Sequence, residues 1–128
     1  MIVVDTSALL AILQGEEKAE ACRDCLAAAD HVLMPAPTFT EALILAAARA
    51  LMPALETLLD GLPIEVVPLT EEGAARAARA YVRWGKGFHP ARLNFGESFP
   101  YSLARELGCP LLFVGNDFDQ TDIESALG

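Results

Sequence analysis

Short apolar blocks alternate with longer stretches of helical period along the whole chain. Ile2-Val3-Val4 is β-branched and continuous, as a buried strand is, and Asp5-Thr6-Ser7 then supplies capping side chains for a helix through Ala8–Leu13. Gly15 ends that helix, and Ala19, Cys22, Leu26 and Ala29 fall at helical spacing within a second one, Glu16 to Ala29. His31–Met34 predicts another strand, broken by Pro35 and Pro37. Thr38 or Thr40 then caps a long helix reaching about Leu51, with Glu41 near its first turn. Pro53 marks a bend into a short helix closed by Gly61, and Ile64–Val67 predicts a third strand. Thr70-Glu71-Glu72 opens a helix that ends in the loop Trp84–Pro90, whose two glycines and proline predict an irregular, mobile segment. Gly96-Glu97-Ser98 starts the last long helix, Gly108 ends it, Leu111–Val114 is the fourth strand, and Gly115–Asp119 is a polar turn.

Apolar strands alternating with helices predict an α/β fold, with a central, mainly parallel sheet of four to five short strands covered on both faces. The length, 128 residues with 53% hydrophobic, suits one core, so residues 1–128 are expected to form a single domain. Only 7% of residues are aromatic, which favours helices packed on a sheet over a sandwich. The opening segment has no basic region and meets Asp5 after four residues, so neither a secretion signal nor a membrane span fits there, and a cytoplasmic protein is expected. Cys22, Cys25 and Cys109 lack the spacing of a zinc site, and Cys22 and Cys25, three apart on an Ala-rich helix, are expected to pack as small hydrophobes.

The net charge of −9 argues against broad attraction to nucleic acid. Its distribution changes that picture. Five of the nine basic residues, Arg76, Arg79, Arg83, Lys86 and Arg92, lie between positions 76 and 92, where there is no acid. That strip is either a solvated helix face or a surface for a phosphate backbone, through Arg79, Arg83, Lys86 and Arg92. Trp84, Phe88 and His89 beside it offer base stacking or simple anchoring of the loop.

In a parallel sheet, ligands bind beyond the carboxyl ends of the strands. Asp5 and Asp117 stand there, Glu41 follows a strand-to-helix connection, and Glu97 lies at the start of the helix leading into the fourth strand. Each has a local alternative role, as a cap, a partner of a helix dipole or a turn residue. Four carboxylates brought together repel one another unless protons or a cation neutralise them, and hard oxygen donors select Mg²⁺ or Mn²⁺. Metal-assisted phosphodiester hydrolysis is the corresponding chemistry.

At these residues the chain resembles the PIN-domain family, and within it the VapC toxins of bacterial type II toxin–antitoxin pairs. The resemblance is carried by Ile2–Ala8, by Glu41 within Pro37–Ala42, by Leu93–Ala104 and by Leu111–Ile123. It implies a PIN-like α/β/α sandwich and a Mg²⁺- or Mn²⁺-dependent endoribonuclease. Asp5, Glu41, Glu97 and Asp117 become the catalytic acids, and Asp5, Glu97 and Asp117 the metal ligands. Thr6 or Ser7 would orient Asp5 or a metal-bound water, and Asn116 competes with Asp117 for the fourth position, where Asp is the better ligand. The family usually has Asp where this chain has Glu97, and a positional change near 1 Å can cost a rate factor of ~10². The resemblance also implies an RNA substrate, a cognate antitoxin protein and a homodimer, for which Leu9, Leu10, Leu13, Phe39 and Leu43 offer either a surface or core. Two other readings follow the same residues: a catalytically impaired PIN-like domain acting as a protein-binding scaffold, and a phosphatase of the haloacid-dehalogenase kind. Ser7 stands where the latter expects a second Asp.

Overall fold

The computed structural model describes residues 1–128. Strand β1 (Ile2–Val4) leads to helices α1 (Thr6–Leu13) and α2 (Ala19–Ala28), strand β2 (Val32–Pro35) to α3 (Ala36–Ala48) and α4 (Met52–Asp60), and strand β3 (Ile64–Val67) to α5 (Glu71–Trp84) and α6 (Ser98–Leu107); β4 (Leu111–Leu112) completes the sheet. All pairings are parallel, in the order β3-β2-β1-β4. The chain builds outward from β1 to β3 and then returns to place β4 on the other side of β1. The order therefore reverses between β1 and β4, which is where an open parallel sheet leaves a crevice at its carboxyl edge.

Side chains alternate between faces along each strand, so the sheet feeds two cores. Ile2, Val4, Val32, Met34 and Leu112 pack with Leu9, Ile12, Leu26 and Leu55 of the first four helices. Val3, Leu33 and Leu111 face the other way, onto Ala80, Trp84, Tyr101 and Ala104 of α5 and α6. The result is an α/β/α sandwich. Helix α5 runs antiparallel along α6, since Arg76 pairs with Glu106 near one end and Trp84 donates its indole N–H to the Tyr101 hydroxyl (2.7 Å) near the other. Leu9 lies in the core, and Leu13, Phe39 and Leu43 pack half-buried against it, which takes most of the apolar surface considered for a partner into the interior. Cys22 is buried among the same residues, as a small hydrophobe.

Several boundaries differ from expectation. Helix α3 begins at Ala36, with Pro35 extended before it and Pro37 in its first turn, where a missing N–H costs nothing. Neither threonine caps it; Thr40 instead donates its hydroxyl to the Ala36 carbonyl one turn back (3.0 Å). Pro53 likewise falls in the first turn of α4. β4 stops at Leu112 because the Val114 N–H goes to the Ser7 hydroxyl (3.0 Å).

The segment after α5 is more ordered than its glycines suggest. Lys86 N–H donates to the Leu93 carbonyl (2.9 Å) and Leu93 N–H to the Trp84 carbonyl (3.1 Å), closing it as a tight loop. Gly85 is required there, for a Cβ would lie 2.4 Å from the Tyr81 carbonyl oxygen.

Candidate active site

Asp5 directly follows β1 and is the N-cap of α1, in the extended conformation a cap adopts. Its Oδ2 accepts from the Ser7 N–H (3.1 Å) and the Ser7 hydroxyl (2.6 Å). The same hydroxyl accepts from Val114 N–H, so Ser7 ties the end of β1 to the end of β4 across the point where strand order reverses. Asp5 is only 4% exposed, and burial raises its pKa above the usual carboxylate range against the lowering effect of Ser7. Ser7, then, orients Asp5. Thr6 serves a different carboxylate, for its hydroxyl donates to Glu41 Oε1 (2.8 Å).

Glu41 stands in the second turn of α3, beyond the reach of the helix's positive end, so the dipole explanation does not hold for it. Its carboxylate instead reaches the segment before α6. A Cβ at Gly96 would lie 2.6 Å from Glu41 Oε2, and only glycine leaves that space. Glu97, the next residue, caps α6 by position but makes no side-chain bond to that helix. Its Oε1 turns back to accept from Asn94 N–H (2.9 Å), while the Asn94 side-chain oxygen accepts from Glu97 N–H (2.8 Å). Glu97 is buried, 9% exposed, and its pKa is pushed up to about 8, first by desolvation and then by Asp117 beside it. Asp117, in the exposed turn after β4, is thus the residue brought to Glu97; Asn116 is exposed beside it.

The four predicted acids therefore gather at one edge as linked pairs, Asp5 feeling the charge of both Glu41 and Glu97. No three of them close to metal-coordinating distance. None of the four makes an ion pair with a basic side chain. Buried carboxylates without a counter-charge, all hard oxygen donors, fit a divalent cation in kind. One signal was missed in the sequence. Asn94, which holds Glu97, lies three residues before it, and that reciprocal spacing resembles a capping box.

Of the basic strip, Arg76 is committed to Glu106 (2.9 Å), and Arg83 lies over the Trp84 ring at 4.7 Å with Asp122 at 3.8 Å. Arg79, Lys86 and Arg92 are exposed and unpaired. Trp84 is buried and anchors the loop, and Tyr101 passes its hydrogen bond on to Asp122 (2.5 Å). Burial and Asp122 push the Tyr101 hydroxyl up to about 12.

Comparison with known proteins identifies the family. The PIN domain profile matches residues 2–124. Ribonuclease VapC36 of Mycobacterium tuberculosis is 43% identical over 127 residues, covering 96% of this chain and 91% of that protein. The crystal structure of VapC20 from Mycobacterium tuberculosis, a toxin that cleaves the sarcin–ricin loop, superposes with a TM-score of 0.76 at 19% identity over 96% of both chains. A chain of a toxin–antitoxin complex from Klebsiella pneumoniae does so at 0.72, with 14% identity over 95% of this chain and 93% of that one. No helix is long and apolar enough to cross a membrane. With the family profile covering nearly every residue and a VapC ribonuclease sharing more than two residues in five, the chain belongs to the PIN-domain family, in its VapC branch.

Proposed function

We propose that residues 1–128 form one PIN domain acting as the toxin of a type II toxin–antitoxin pair, a cytoplasmic endoribonuclease dependent on Mg²⁺ or Mn²⁺. The observation that carries this reading is the pair Asp5 and Glu97, buried at the reversal of strand order without a basic partner. Asp5, Glu97 and Asp117 would hold the cation, with Glu41 completing the acidic edge. When bound, the cation would polarise a phosphoryl oxygen and lower the pKa of a water.

The chain's own groups have separable roles. Ser7 holds the Asp5 carboxylate in one orientation, and Thr6 does the same for Glu41. Asn94 fixes Glu97, whose carboxyl burial raises to about 8 in the absence of a cation, so that a bound cation would displace its proton. Arg79, Lys86 and Arg92 are free to contact RNA phosphates, with Arg83 available at modest cost because its pair with Asp122 is long and exposed. The ribonuclease name of the curated relative supports RNA as substrate, and the Klebsiella complex supports an antitoxin partner. A homodimer accords with the family resemblance.

Glu97, where the family usually has the shorter Asp, favours one second reading: a catalytically impaired PIN scaffold that acts by binding protein. Purified protein, free of antitoxin, separates the two. Cleavage of a mixed RNA pool with Mg²⁺ or Mn²⁺, blocked by EDTA and lost in Asp5→Asn, is expected for the nuclease, and Glu97→Asp is expected to cut faster. If wild type and Glu97→Asp are both inert on every RNA, the scaffold reading replaces the nuclease.

A further inference from the structure

Phe95 is the most exposed large apolar side chain of the protein, at 73%, and it stands between Asn94 and Gly96, the residues that seat Glu97 and Glu41. A single exposed apolar side chain needs no explanation by itself; what distinguishes this one is how it is held and what flanks it. This one is held out rigidly. The Ser98 hydroxyl donates to the Phe95 carbonyl (2.6 Å), Ser98 N–H does so at 3.3 Å, and the ring meets Phe99 edge to face with centroids 5.0 Å apart. One edge is supported and the backbone is pinned, so a ring face is offered at little entropic cost.

Its neighbours decide what that face receives. On one side along the chain lies the acidic edge; on the other lie exposed Arg92 and Lys86, joined to the same segment by the Lys86 to Leu93 backbone bond. Arg92 holds φ at 56°, an uncommon conformation for a residue with a side chain, and its N–H is tied to the His89 carbonyl (3.0 Å). Cationic groups, an aromatic face and a carboxylate cluster in succession match one ligand: a single strand with phosphates on the bases, a nucleobase on the ring and the next phosphate at the acids. We infer that Phe95 is a stacking platform for one nucleobase of single-stranded RNA next to the phosphate to be cleaved. This rests on the proposed nuclease reading and adds to it a positioning residue; the buried Trp84 cannot serve that purpose.

The test is binding of a mixed-sequence, single-stranded oligoribonucleotide carrying 2-aminopurine, in the Asp5→Asn background with Mg²⁺. Phe95→Ala is expected to weaken binding on the order of tenfold and to abolish quenching of the 2-aminopurine, while Phe95→Tyr and Phe95→Trp retain both. The urea midpoint should hardly move, since the ring is exposed. Equal affinity and quenching in Phe95→Ala overturn the inference, as does an absence of RNA binding by any form at low salt. A shift of Phe95→Ala toward monomer in sedimentation, with RNA affinity unchanged, also overturns it and makes the ring a protein contact. Stacking without cleavage by the wild type would remove the nuclease reading and leave the platform; cleavage that ignores Phe95→Ala would do the reverse.

Discussion

Glu97 offers the sharpest quantitative test of the acidic edge. Its carboxyl moves from an ordinary 4.5 to about 8 on folding, through burial first and Asp117 second. A folded-state value above the unfolded one means that the folded chain binds the proton more tightly. Stability is therefore full below about pH 4.5 and is lost progressively as pH rises toward 8. Carried in full, that displacement is worth about 5 kcal/mol. Asp117 lies at the surface and solvent reaches the pair, so less than half of it, about 2 kcal/mol, is the expected loss. Glu97→Gln keeps the size of the side chain, offers Asp117 an N–H donor and cannot titrate. Urea unfolding in EDTA at pH 4.5 and pH 8.5 should show wild type losing about 2 kcal/mol more than Glu97→Gln across that interval. Asp5, also raised by burial, titrates in both proteins and largely cancels in the comparison. Equal losses in the two proteins would mean that the proton resides on some group other than Glu97, and the raised Glu97 carboxyl would have to be abandoned.

Two further outcomes follow from the hydrogen bonds at the same edge. Ser7→Ala deprives Asp5 of its 2.6 Å donor and leaves Val114 N–H without a partner, and should lower stability by about 1–3 kcal/mol in urea titration, along with metal-dependent cleavage. A change below about 0.3 kcal/mol would mean that water replaces the hydroxyl freely. Gly96→Ala puts a methyl 2.6 Å from Glu41 Oε2, the free end of a flexible side chain. The fold should survive with a loss under about 1 kcal/mol while cleavage falls by ~10² or more, since the carboxylate is displaced by about an ångström. Wild-type turnover in Gly96→Ala would show that the position of Glu41 does not matter.

Much of this protein is legible in its sequence. Ile2–Val4 is a strand because β-branched residues without polar interruption are stable inside a sheet, and Asp5 ends it where a cap and a ligand are both possible; Ile64–Val67 carries Glu65 among β-branched residues, as a half-exposed edge strand does. The choice of Asp5, Glu41, Glu97 and Asp117 among the acids came with the family resemblance, whereas the basic strip and the α/β/α layering follow from such local chemistry. The strand order does not. That β4 lies beside β1 rather than β3 is a pairing of residues more than a hundred positions apart, and it brings the turn that carries Asp117 to the sheet edge where Asp5 ends β1. Tertiary structure likewise assigned Thr6 to Glu41, tied Ser7 to Val114, buried Trp84, exposed Phe95 and brought Asp117 beside Glu97. Periodicity reports which face of an element is apolar; which polar atom meets which is set by packing between elements, and no local pattern encodes that.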